Sequence, residues 1–98
     1  MEKTLQIGPE TRVQTSGQGV FSELGEQSVL MHLRDGIYYA LNEVGTSIWK
    51  HIQEPMTFAQ LVDRLMDEYE VERAVCEEDT RAMLLQLYAK DLVTLDAE

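Results

Sequence analysis

Cysteine is nearly absent from this chain. Cys76 is the only one in 98 residues, which excludes an intramolecular disulfide framework and any zinc site built from several thiolates. A lone thiol fits a reducing compartment, so the expected location is cytoplasmic. Basic residues are also few, with 8 Lys and Arg against 18 Asp and Glu and a formal net charge of −10. Nucleic acid and anionic membranes both require a cationic surface, so neither is an expected partner, and a basic partner is favoured over an acidic one. No run approaches the roughly 20 apolar residues of a membrane helix. Met1-Glu2-Lys3-Thr4-Leu5-Gln6 has no basic flank leading into an apolar stretch, so no secretion signal is visible. Internal repeats and low-complexity tracts are lacking as well.

What is present is enough apolar material for one folded domain, 44% of the chain. The acid is unevenly placed: residues 51–98 hold twelve acids and four bases, residues 1–50 six acids and four bases. Residues 1–19, with Gly8-Pro9, Gly17 and Gly19, read as a loose lead-in in which Thr11–Thr15 is a candidate short strand. The patterned domain is expected over residues 20–95.

Val20–Leu24 reads as a strand, with Gly25-Glu26 as its turn. In Ser28–Arg34, Val29, Met31 and Leu33 alternate with Leu30, His32 and Arg34, which predicts a second strand. Asp35-Gly36 predicts a two-residue type I′ turn, setting Leu33 opposite Tyr38 and His32 opposite Tyr39 on a third strand, Ile37–Leu41. Both faces of this hairpin are fairly apolar.

The period then changes to 3.6. Asn42 is a helix cap ahead of Val44, Ile48, Trp49 and Ile52, and Pro55 ends that helix. Thr57-Phe58-Ala59-Gln60 is a capping box ahead of the stripe Leu61, Val62, Leu65, Met66 and Tyr69. Val71–Val75 reads as a connector. Glu77-Glu78-Asp79 would then head a third helix, complementing its dipole, with Met83, Leu84, Leu87 and Tyr88 at helical spacing and Leu85 widening the arc. Asp91 ends it before a short strand, Leu92–Leu95. The expected class is α+β: a small three-stranded antiparallel sheet followed by three helices, in a winged helix-turn-helix-like arrangement.

No catalytic constellation emerges from the residues. His32 and His51 fall on different elements and read as a strand-surface and a helix-surface histidine rather than as ligands, so neither metal nor cofactor is expected. Cys76 beside Glu77, Glu78 and Asp79 lacks the electropositive setting of a nucleophile. Most acids of the second half read as a solvated charged face, and nothing forces two of them into one pocket. Gly17-Gln18-Gly19 lacks the third glycine and the following helix of a phosphate loop. An enzyme is therefore not expected. A winged-helix transcription protein is the alternative class. Its recognition helix would want arginines and lysines, and the third helix offers Arg81 and Lys90 after three acids.

Chain binding remains. The Ile37–Leu41 strand closes the run of strands, so its edge is a candidate site for an added peptide strand, with Tyr38, Tyr39 and the third helix supplying pockets. The alternative is that these aromatics simply pack the core.

The run Leu33-Arg34-Asp35-Gly36-Ile37-Tyr38-Tyr39-Ala40-Leu41-Asn42-Glu43-Val44-Gly45-Thr46-Ser47-Ile48-Trp49 resembles the strand, Tyr-Tyr-x-Leu-Asn, helix signature of PqqD-like proteins, the coenzyme PQQ synthesis protein D family, whose domain is also called the RiPP recognition element. Glu68-Tyr69-Glu70-Val71 and the ending through Met83-Leu84, Leu87 and Asp91-Leu92-Val93 are similar too, so the resemblance spans about residues 20–95. Asp91 departs from it, because many relatives have Gly at that helix end. The resemblance implies a non-catalytic peptide chaperone. Such a protein binds the leader segment of a ribosomally made precursor peptide by strand addition, in a groove against the third helix, and presents it to a modifying enzyme. Carried over by element, the implied contacts are Ile37, Tyr38, Tyr39 and Ala40 on the strand. On the helix they are Asp79, Arg81, Ala82, Met83, Leu85, Gln86 and Lys90. Two branches are implied: the leader-binding partner of a lasso-peptide protease, or the assistant of a radical-SAM enzyme as in PQQ synthesis.

Overall fold

Alternating side chains over residues 19–41 build the first sheet of the structure, a computed structural model that describes residues 6–25 and 27–96. Strands β2 (Gly19–Leu24), β3 (Gln27–His32) and β4 (Tyr38–Leu41) pair antiparallel in the order β2-β3-β4. Period two turns Ser28, Leu30 and His32 inward, and all three are buried. His32 is therefore a core residue, which corrects its reading as a strand-surface histidine. Its Nδ1 accepts the Arg34 N–H at 3.1 Å, and its Nε2 has no partner among the described residues. Its cross-strand neighbour is Gly19, where a Cβ would stand 3.0 Å from the Leu30 and Trp49 side chains.

The β3–β4 hairpin is joined differently from the two-residue turn that Asp35-Gly36 predicts. The loop runs over residues 33–36, closed by the His32 N–H to Ile37 C=O bond at 2.9 Å and the Gly36 N–H to His32 C=O bond at 2.7 Å. Gly36 alone in that loop has a positive φ, 70°, whereas a type I′ turn needs two such residues. Met31 therefore faces Tyr38, and Leu30 faces Tyr39. The slip is two residues, so every side chain keeps its face. At the other hairpin Gly25 takes φ 66°, and Glu26 lies outside the described residues.

A second sheet joins distant parts of the chain, so two sheets stand where one was expected. β1 (Arg12–Thr15) lies between β5 (Met56–Thr57) and β6 (Val93–Asp96), antiparallel to both. Val13 has no exposed surface, and Ile7 and Thr11 are buried. Residues 6–19 thus pack into the domain rather than forming a loose lead-in. They also complete a helix end: the carbonyls of Thr11 and Pro9 accept the N–H groups of Phe58 and Ala59 at 2.8 and 3.0 Å. Those are two of the donors that every helix N-terminus leaves without an internal partner.

The three helices start where local chemistry allows. Asn42 caps α1 (Glu43–His51), its Oδ1 accepting the Gly45 N–H at 2.7 Å. Thr57 and Gln60 form the reciprocal capping box of α2 (Phe58–Glu68). α3 runs Arg73–Ala89, one turn earlier than predicted, so Glu77, Glu78 and Asp79 lie beyond the first turn and do not serve the dipole there. Glu72 at its N-cap makes no side-chain capping bond, which leaves that boundary without a local sequence signal. A salt bridge serves instead: Arg73 reaches Asp63 of α2 at 2.8 Å and Glu77 at 3.1 Å. These bonds, Asp63 first, raise the Arg73 pKa above its ordinary value.

α3 buries Cys76, Thr80, Leu84 and Leu87, leaving Leu85 and Tyr88 exposed. Cys76, Leu84 and Leu87 form one core with Ile48, Trp49 and Ile52 of the first helical segment, Leu61, Val62 and Leu65 of α2, and Val13, Leu30, Leu92 and Val93 from the strands and their flanks. α3 ends in a Schellman motif. The Leu92 N–H returns to Leu87 C=O at 2.9 Å and the Asp91 N–H to Tyr88 C=O at 3.0 Å, with Asp91 at φ 60°. The glycine conformation of that helix end is thus kept by an aspartate.

Candidate functional site

β4 is an edge strand, and its backbone polarity follows from the ladder. His32 and Ile37 form a hydrogen-bonded pair, and bonded pairs alternate along an antiparallel ladder. Leu30–Tyr39 and Ser28–Leu41 are therefore bonded pairs as well. The N–H and C=O groups of Tyr38 and Ala40 consequently point away from the sheet. Among the described residues they have no backbone partner, and they stand at hydrogen-bonding spacing.

α3 runs beside this edge. Tyr38, Tyr39, Ala40, Leu41 and Asn42 face Met83, Gln86, Leu87 and Lys90 across a groove of about 460 Å³. The groove continues past Asn42 into a hollow of about 280 Å³ bounded by Val44, Asp79, Ala82, Met83 and Gln86. Residues 79, 83, 86 and 90 recur at helical spacing, so one stripe of α3 forms the wall. The middle of the groove is apolar, from Leu41, Met83 and Leu87. Gly45 lets α1 approach this wall, because a Cβ there would stand 3.1 Å from Met83 Cε. At the β4 entrance the Lys90 ammonium lies 5.1 Å from the centre of the Tyr39 ring, within cation–π range.

Of the residues expected from sequence, Tyr38, Tyr39, Ala40, Met83, Gln86 and Lys90 line the groove, and Asp79 and Ala82 its extension. Three stand elsewhere. Ile37 is an exposed residue at the loop end of β4 and is not in the groove wall. Arg81 points to the other side of α3, where it sits over the Phe58 ring at 5.1 Å and its Nε reaches Ile7 C=O at 3.4 Å. Leu85 is exposed outside the groove. The register of α3 decides this: residues 81 and 85 lie off the 79–83–86–90 stripe. Leu41, Asn42, Val44 and Leu87 were missed as lining residues. Leu41 and Asn42 stand in the quoted Tyr-Tyr-x-Leu-Asn run, whereas nothing local separates Val44 and Leu87 from core positions.

Fold and site together define a small α+β binding domain with an open strand edge beside a helix. Residues 27–93 match the family described as coenzyme PQQ synthesis protein D, and the chain belongs to that family. Among solved structures it is similar to TbiB1 in complex with the TbiA(beta) leader peptide, with 33% identity and a TM-score of 0.76 over 87% of this chain and 99% of that one. Lasso peptide synthetase B1 complexed with the leader peptide shares the fold, with 24% identity and a TM-score of 0.72 over 84% of this chain and 96% of that one. No curated protein sequence matches the chain significantly.

Proposed function

We propose that this protein is a non-catalytic carrier of leader peptides. The leader segment of a ribosomally made precursor adds as a strand to β4, its backbone bonded to Tyr38 and Ala40 and its side chains seated against Met83, Leu87 and Gln86. The carrier then presents the precursor to a modifying enzyme or leader protease. The observation that carries this reading is the coincidence of an unpaired strand edge with a helix-walled groove, in a chain 33% identical to one solved with a leader peptide. The likeness to lasso peptide synthetase B1 supports the lasso-peptide branch over the radical-SAM branch, and the two leader-peptide complexes support peptide binding over a role in transcription. No helix among the described residues is long and apolar enough to cross a membrane.

The test is a titration of isotope-labelled protein with the leader of the precursor encoded beside its gene. Backbone shifts are expected along residues 38–42 and 79–90, with the peptide's mass unchanged after incubation. Shifts confined to other elements would overturn the site, and a cleaved or modified peptide would overturn the non-catalytic role.

A further inference from the structure

The groove is electrically polarised along its length. At the end where β4 begins stands Lys90, which makes no ion pair among the described residues and is satisfied only by the Tyr39 ring. Beyond Asn42, at the other end, Asp79 borders the extension. It makes no ion pair among the described residues, unlike Asp63 and Glu77, which both pair with Arg73. Cation and acid are thus held apart by a stretch around Leu41, Met83 and Leu87 that has no charged group among the described residues. A chain of net charge −10 suggests a uniformly basic ligand. The groove suggests something more specific, because its two ends want opposite charges.

Resting on the strand-addition reading above, we infer that the groove selects peptides by the order of their charges: a basic residue first and an acidic residue four positions later. From residue 79 to residue 90, α3 rises by about 16 Å; residues i to i+4 of an extended strand are four steps of ~3.3 Å apart, about 13 Å, and the long side chains of Lys90 and of a peptide lysine or arginine cover the difference. Only alternate side chains of an added strand face the helix, so positions i, i+2 and i+4 are the ones read. The sheet is antiparallel throughout, and antiparallel addition is the slightly more stable mode. A peptide antiparallel to β4 enters at Asn42 and leaves at Tyr38. Its residue i meets Asp79, residue i+2 lies over Met83 and Leu87, and residue i+4 meets Lys90. The preferred segment is therefore base, any, apolar, any, acid.

The test selects a displayed library of random 12-residue peptides on the wild-type protein and on the double variant Asp79→Lys/Lys90→Glu, which has the same net charge. Groove binders are identified by shifts along residues 38–42. Wild type is expected to enrich Lys or Arg at i with Asp or Glu at i+4, and the double variant the reverse order. A synthetic binder should lose about fivefold in affinity when its two charges are exchanged, the scale of two exposed ion pairs, and ~0.5 M salt should erase the difference. Should the double variant fold poorly, Lys90→Gln should abolish the preference at i+4 and keep that at i. Groove binders with no charge order, or with one order on both proteins, would overturn the inference and leave the carrier reading standing. No groove binders from either selection would overturn both.

Discussion

A Cβ added to Gly45 would stand 3.1 Å from Met83 Cε and 3.2 Å from Asn42 Oδ1, so a single missing methyl joins the cap of α1 to the wall of the groove. Gly45→Ala sets a gain in helix propensity of about 1 kcal/mol against a displaced methionine tip and a disturbed cap. Stability should change by less than about 1 kcal/mol, while Met83 is pushed toward the groove. Thermal melting and peptide titration on the same sample should separate the two effects, with affinity falling several-fold and the melting temperature little altered.

Ala40→Pro should weaken peptide binding about tenfold by deleting one outward N–H and crowding the edge, roughly 1–1.5 kcal/mol. Tyr39→Pro deletes a bond to β3 instead and should destabilise the hairpin. Circular dichroism together with calorimetric titration checks both. Equal binding by Ala40→Pro and wild type would contradict the strand-addition mode.

Asp91→Gly should stabilise the domain by about 0.5–1 kcal/mol, because the residue stands at φ 60°, where glycine carries no Cβ penalty. The exposed contact to Arg34 at 3.6 Å that the change removes contributes little. A rise of several degrees in Tm with unchanged peptide affinity is expected.

Cys76, buried and 3.9 Å from the Thr80 hydroxyl, should resist an aromatic disulfide reagent in the native protein and react fully in denaturant. Rapid labelling under native conditions would show that α3 opens locally.

Val13→Ala should cost about 2 kcal/mol, as a fully buried side chain is truncated. A urea melt measures it. A loss near zero would mean that β1 is not part of the cooperative unit.

Elements announced by neighbours in the chain were the legible ones. Asn42 with Gly45 and Thr57 with Gln60 are three-residue relationships, and they place α1 and α2 where the structure has them. The alternation of Leu30 and His32 fixed which side chains share a face. It could not say which face is buried, and His32 went to the core because the sheet lies against Trp49. The β3–β4 register depended on loop geometry, which a single Asp-Gly pair does not determine. α3 began early because its start is secured by Asp63, on another helix. The β5-β1-β6 sheet was least legible, since Val13 pairs with Met56 on one side and Leu95 on the other, and no local pattern carries such contacts. In the groove, residue types along α3 were readable from their spacing. Whether Arg81 and Leu85 face it depended on helix rotation, set by burial of Thr80, Leu84 and Leu87.

The pairing of Arg12 with Asp96 has a mechanical meaning. The chain enters β1 and leaves β6 at the same end of one antiparallel ladder, so tension applied through residues 12 and 96 loads its bonds one pair after another. The ladder should unzip at low force rather than shear. Because it belongs to a different sheet from β4, a tether attached at either residue leaves the open edge free. The protein can thus be held by this corner and still take up a strand.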